Sequence, residues 1–206
     1  VAKGKQVAFR FTCSESGSTQ PYATPEWVRK AGAKGYFITP GKGIDPEGKI
    51  WEPDYDDPIF LEKLDKFLAA AAARYDGNPH VAFIDVGSFG VWGEGHTYSS
   101  SRLPYSAKTI RTHIDLHKKH FKKTLLVAND DFISQGRGLE TLLYARRQGL
   151  ALRDDSILVQ PGEQAYHSAY VAPMFWPDLP VILEGEHWGN SMKRGYWGDG
   201  SRFLDA

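Results

Sequence analysis

The chain has 206 residues, with 25 Lys+Arg against 25 Asp+Glu and a formal net charge of zero. That balance argues against nucleic-acid and anionic-membrane partners, both of which require a basic face. Hydrophobic residues at 41% and charged residues at 24% exclude a disordered chain, and a single cysteine, Cys13, excludes a disulfide scaffold and any multi-cysteine zinc site. No apolar run approaches the roughly 18 residues of a transmembrane helix. Val1 is not a natural start and no basic-then-apolar leader opens the chain, so sequence is expected before it.

Strand-like and helix-like runs then alternate. A β-rich run over 7–11 is followed by a polar loop. Thr24 and Pro25 read as the N-cap and first position of a short helix. Residues 35–54 are rich in Gly and Pro and read as a long loop with room for a hairpin. Asp57 and Pro58 open a helix in which Phe60, Leu61, Leu64, Phe67, Leu68 and Ala71 recur at helical spacing, ending at 75–79. A nearly all-apolar run over 81–86 reads as a buried strand. Ser106 caps a helix to about His120, 125–128 is a strand, and 139–148 is a helix stopped by Gly149. Residues 150–153 form a strand that ends in Asp154 and Asp155, with 157–159 as a competing one. A helix over 163–175 and a last strand over 180–183 complete the order.

Strands alternating with helices indicate βαβ units and a parallel sheet. Such sheets carry their sites at the carboxyl ends of the strands. Here those ends hold Arg10, then Asp85 and Glu94, then Asn129, Asp130 and Asp131, then Arg153, Asp154 and Asp155, then Glu184, Glu186 and His187. Acids at four strand ends suggest one ring-shaped site.

The richest stretch runs Gly87-Ser88-Phe89-Gly90-Val91-Trp92-Gly93-Glu94-Gly95-His96. A carboxyl beside Trp in a partly desolvated pocket is expected to favour its acid form, as a general acid needs; the plain alternative is that Glu94 caps a turn. Glu184 and Glu186 share one side of a strand by period two. Either could be the second carboxylate, with Glu184 favoured by its rigid position at the strand end. Two opposed carboxylates among aromatics are the groups that glycoside hydrolysis uses. Aromatics flanked by polar residues (Trp51, Tyr55, Trp92, Tyr98, Trp176, Trp188) either line such a site or pack loops.

Other signals are weaker. The G-x4-G-K spacing at 43–49 has Ile50 where Ser or Thr would hold magnesium, and reads as a chance match in a turn. His113, His117 and His120 share a helix face beside four lysines, which suggests a solvated outer helix. The paired aspartates suit a cation, sugar hydroxyls or turn caps. Arg10 and Arg153 suit an acidic sugar or those aspartates. Cys13 reads as a packing residue.

The segments R-Y-D-G-x-P-x-V-A-F-I-D-V-G-x-F-G-x-W-G-E-x-H and P-V-I-L-E-x-E-H, with Y-A-T-P-x-W-V and D-D-P-x-F-L before them, resemble glycoside-hydrolase-like TIM barrels. The resemblance is to a bacterial group of β-galactosidase-like proteins of the DUF4832 type. It implies an α/β fold of the (β/α)8 kind, with the acid/base after strand four at Glu94 and the nucleophile on strand seven at Glu184 or Glu186. The related retaining clan has Asn before its acid/base, where this chain has Gly93. A barrel normally needs about 250 residues, so residues 1–206 would form a single, partial barrel domain holding about strands three to seven. The missing strands would come from the rest of a larger enzyme or from another chain.

The resulting expectation is a glycoside hydrolase acting on a poly- or oligosaccharide without a cofactor or metal. Glu94 and Glu184 (or Glu186) would be catalytic. Arg10, Trp92, His96, Asn129, Asp130, Arg153, Asp155, His187 and Trp188 would bind substrate. The rival expectations are a carbohydrate-binding barrel without hydrolysis and a metal-dependent hydrolase built on Asp130, Asp131, Asp154 and His187. An extracellular glycan substrate would imply a secreted or periplasmic protein.

Overall fold

The computed structural model describes residues 2–17, 20–157, 170–185, 193 and 195. Its frame is a curled sheet of five parallel strands in simple sequential order, forming a half-barrel. The strands are β1 (Val7–Arg10), β5 (Val81–Asp85), β6 (Leu125–Asn129), β7 (Ala151–Ile157) and β8 (Val181–Gly185). Between β1 and β5 the chain makes α1 (Glu26–Lys30), a small antiparallel sheet of β2 (Gly35–Thr39), β3 (Gly43–Ile44) and β4 (Ile50–Pro53), and α2 (Pro58–Tyr75). Helices α3 (Ala107–His120) and α4 (Glu140–Arg147) cross between the later strands. No described helix is long and apolar enough to cross a membrane.

The two faces of the sheet differ in chemistry. Ile84, Leu126, Ala128 and Leu152 lie buried in the main apolar cluster with Leu64, Leu68, Ile110, Ile114, Leu142 and Ala145 of the helices. Alternate residues point to the concave side. These are Arg10, Phe83 and Asp85, Val127 and Asn129, then Arg153 and Asp155, and Glu184. Phe9 of β1 and Phe11 just after it pack edge-on, with ring centroids 5.1 Å apart, and reach Tyr75 and Phe67 of α2.

Helix α2 begins where its sequence signals placed it, because the Asp57 carboxylate accepts the Phe60 amide at 2.9 Å and Pro58 fills the first turn. Helix α1 begins one residue late. Pro25 takes the cap position, and the Thr24 hydroxyl donates instead to the Cys13 carbonyl at 2.7 Å. The Gly- and Pro-rich 35–54 segment is mostly strand, and the G-x4-G-K spacing falls across the β3–β4 turn with no helix after it. Ser106 occupies the α3 cap position, but its side chain makes no cap bond.

Strand β7 runs unbroken through Asp154 and Asp155. The acids therefore lie within the strand rather than beyond its end, and of the competing strand over 157–159 residues 158 and 159 lie outside the described residues. The apolar residues 151, 152 and 157 allow this because β8 pairs alongside over the same stretch. Of the helix expected over 163–175, residues 163–169 lie outside the described residues, and Ala172–Met174 is a single 3-10 turn.

One further expectation is overturned, and one open alternative is resolved. His113 and His117 are fully buried, so α3 is not a solvated outer helix. The lysines beside them point outward, but the histidines continue the Ile110–Ile114 stripe. Trp51 and Tyr55, at 2% and 0% exposure, are core residues rather than site lining.

Candidate active site

The concave strand ends carry a row of alternating charges. Arg10 and Asp85 are register partners on β1 and β5. The Arg10 guanidinium lies 3.6 Å from Asp85 and donates at 3.2 Å to Glu94 and at 3.0 Å to the Trp92 carbonyl. From the other side, Arg153 donates to both oxygens of Asp85 at 3.0 and 3.1 Å, bonds Glu184, and lies over the Phe83 ring. The order is Glu94, Arg10, Asp85, Arg153, Glu184. Two guanidiniums and a buried carboxylate thus stand between the two glutamates expected to form a catalytic pair.

Burial raises Asp85, and the two guanidiniums offset only part of that cost. Burial alone would lower Arg153, but Asp85 and Glu184 outweigh it and hold its charge. Glu184 is half-exposed. Glu186, His187 and Trp188 lie outside the described residues.

The loop after β5 supplies Trp92, Glu94 and His96. Trp92 has φ 56°, an uncommon backbone for a bulky side chain. Its indole N–H donates to Glu15 at 2.6 Å, which fixes the ring. Gly93 has φ 77°, and a Cβ there would fall 2.6 Å from the Gly87 carbonyl oxygen. A residue with a side chain could not occupy this position without a shift of the backbone. Gly95 has φ 90° and would place a Cβ 2.5 Å from Phe132.

His96 Nε2 lies 3.7 Å from Glu94 and 3.7 Å from Asp131, beneath Trp92 and Tyr98. Burial disfavours the imidazolium, but Glu94, Asp131 and Asp155 outweigh it and raise His96 above its ordinary value. Glu94 responds in the opposite sense. Burial would raise its carboxyl, but His96 and Arg10 prevail and hold it below the usual range. The acid form expected for Glu94 is therefore disfavoured, because a partly desolvated carboxylate between two cations keeps its charge.

Asp155 is shifted the other way. Burial and the neighbouring charges of Asp130, Glu94 and Asp131 push it up to about 7, against the bond it accepts from the Asn129 amide at 2.7 Å. Asn129 also caps the turn after β6, accepting the Asp131 amide at 2.9 Å. Arg10, Trp92, His96, Asn129, Asp130, Arg153 and Asp155 are thus all on one rim. Asp154 is buried on the opposite face of β7 from Asp155, as the strand period requires. Among the described residues no three His, Cys, Asp or Glu side chains are placed to hold a metal ion.

Sequence reasoning missed two residues. Glu15, which orients Trp92, gave no signal. Arg137 is buried and donates to the carbonyls of Phe132 and Asp131 at 2.9 Å and to that of Gly95. It joins the loop after β5 to the turn after β6. Burial lowers it to about 10, so it remains a cation at neutral pH. Asp85, by contrast, was visible as the acid closing a buried strand.

Compared with protein-family models, curated proteins and solved structures, the chain has no match.

Proposed function

We propose that this chain is the central part of a TIM-barrel glycoside hydrolase that cleaves a glycosidic bond in a poly- or oligosaccharide. One feature carries the reading: Glu94 is held below the usual carboxylate range while Asp155, close enough to be raised by its charge, is pushed up to about 7 and so shares its proton with solvent at neutral pH. Two carboxyl groups whose environments push them apart divide the acid and base roles of hydrolysis. Asp155 protonates the leaving oxygen. Glu94 attacks the anomeric carbon or activates water. Glu184 fixes Arg153, which steadies Asp85 and through it Arg10. Trp92, His96 and Asn129 contact the sugar.

The five strands are the third to seventh of an eight-stranded barrel. Beyond β1 and β8 no described strand pairs, and unpaired strand edges invite partners. The remaining strands come from the rest of the protein or from another chain. The substrate implies a secreted or periplasmic setting.

The test is release of reducing ends from a polysaccharide and aryl-glycoside panel. Wild type, Glu94→Gln and Asp155→Asn would be compared at matched folding by circular dichroism. Loss of turnover in both variants supports the reading. Full activity in Glu94→Gln overturns it, and saccharide binding without product from wild type points instead to a binding barrel. An aryl glycoside with a good leaving group should restore turnover in Asp155→Asn and leave Glu94→Gln inactive, because only the acid is dispensable there.

A further inference from the structure

Rings are packed differently in two regions of the molecule. Inside, Tyr55, Phe89 and His113 are fully buried and meet with centroids between 4.7 and 6.0 Å apart. His113 Nε2 faces the Tyr55 carbonyl at 3.0 Å and carries the hydrogen, so Nδ1 accepts from the Ser88 hydroxyl at 2.7 Å. These rings have no face left for a ligand.

A second row stands at the strand ends. Trp92, His96 and Tyr98 follow one another with centroids 5.9 and 5.3 Å apart. His96 is buried, but Tyr98 is 54% exposed. A lone exposed aromatic is ordinary and by itself marks nothing. Tyr98 differs in being held in place. His96 covers one face of its ring at a tilt of 32°. Its backbone N–H donates to His96 Nδ1 at 3.3 Å, and its hydroxyl accepts the Gln135 amide at 3.2 Å. Gln135 is fixed in turn, because its side-chain oxygen accepts the Thr97 amide at 3.1 Å. The ring is thus tied to the loop after β5 by its own backbone and to the turn after β6 by its hydroxyl.

Nε2 of the same His96 lies 3.7 Å from Glu94 and 3.7 Å from Asp131. The exposed ring therefore stands one histidine away from the carboxylates of the rim. A ring already held in one orientation loses little side-chain freedom when a ligand covers it. Its open face offers apolar area that water now covers.

We propose that Tyr98 is a substrate-binding platform whose open face stacks on the C–H face of a second sugar unit, joined to the unit held at Glu94 and Asp155. The substrate is then an oligosaccharide or a longer chain rather than a single sugar on a small leaving group. This role for Tyr98 rests on the hydrolase reading, which places the first unit. A pyranose with C–H bonds on one face buries apolar area against a flat ring while its hydroxyls stay at the edge, in reach of water and polar groups.

The test uses the full chain carrying Glu94→Gln, so that the saccharide persists, titrated by calorimetry with cello-, xylo-, manno- and laminaritetraose. At least one should bind saturably. Added Tyr98→Ala should weaken that binding about tenfold, as loss of one aromatic contact implies. Added Tyr98→Phe should retain it. Phe keeps the ring but loses the bond from Gln135, so a merely structural role would weaken both variants alike. In protein with carbon-labelled tyrosine, the Tyr98 ring resonance, assigned by its loss in Tyr98→Phe, should move on saturation. If Tyr98→Ala does not fold, Tyr98→Phe and the resonance decide. Undiminished binding by Tyr98→Ala, equal losses in both variants, a ring resonance unmoved at saturation, or no tetrasaccharide binding would each overturn the proposal. Reducing ends released by wild type are scored separately. Release without Tyr98-dependent binding leaves the hydrolase reading standing and removes the platform, whereas Tyr98-dependent binding without release keeps the platform and removes hydrolysis.

Discussion

His96 and the pair His113–His117 are the same chemical group in two regions, and they are shifted in opposite directions. At the strand ends, burial is opposed by three carboxylates and the imidazolium wins. Inside α3 no carboxylate is near, burial dominates, and both rings fall to about 4. Burial is common to the two regions, so the difference comes from what is buried alongside. The concave rim concentrates charge of both signs and spends it in mutual compensation. The helix side admits polar groups only as neutral hydrogen-bond partners.

The largest expected effect tests the helix side. A histidine depressed on folding binds its proton more readily in the unfolded chain, so stability is present above the ordinary value near 6.5 and lost as pH falls toward 4. Each ring should contribute about 1.4 kcal/mol of loss per pH unit across that window. Asp155, raised to about 7, works the other way. The folded state holds its proton over the same range, so its contribution weakens as pH rises from about 4 to 7. Urea unfolding from pH 4 to 7 should show net loss in acid, and Asp155→Asn should make that loss steeper. A flat profile in both proteins would show that the two regions do not differ as described.

The next effect is on the rim. Glu94→Gln should reduce turnover by about a thousandfold and lower the His96 titration, because Glu94 is one of the charges raising it. Proton NMR of His96 checks the second outcome even without a substrate. An unchanged His96 would break the coupling between them.

Smaller losses are expected from neutral groups. Ser88→Ala leaves His113 Nδ1 buried without its donor and should cost about 1–3 kcal/mol, read by urea unfolding at pH 7. Asp57→Ala removes the α2 cap and should cost about 1 kcal/mol. A Ser88→Ala cost below that of Asp57→Ala would mean the buried serine–histidine bond contributes little.

The long-period features were legible in the sequence. Helix α2 shows its stripe, its cap and its stop, and β5 and β6 are short apolar runs between clear turns. The sheet β2–β3–β4 was not legible, because its glycines signal turns and its strands are only two to five residues long. The rim residues Arg10, Glu94, Asn129, Arg153 and Asp155 could be found because strand ends are where such sheets place reactive groups. Their protonation could not be assigned. Glu94 beside Trp92 reads as a desolvated acid, and it is His96 together with Arg10, 84 residues away, that keeps it an anion. The α3 histidines were misplaced for a related reason. Their lysine neighbours dominate the composition, while the face is set by Ile110 and Ile114.

Arg137 gives the rim a further property. Its single guanidinium is held by carbonyls from both the loop after β5 and the turn after β6. Parting the two would cost the buried guanidinium its bond to Gly95 while Phe132 and Asp131 stayed with it, and an acceptor lost by a buried cation is costly. The loop bearing Glu94 and His96 and the turn bearing Asp130 and Asp131 therefore travel as one jaw.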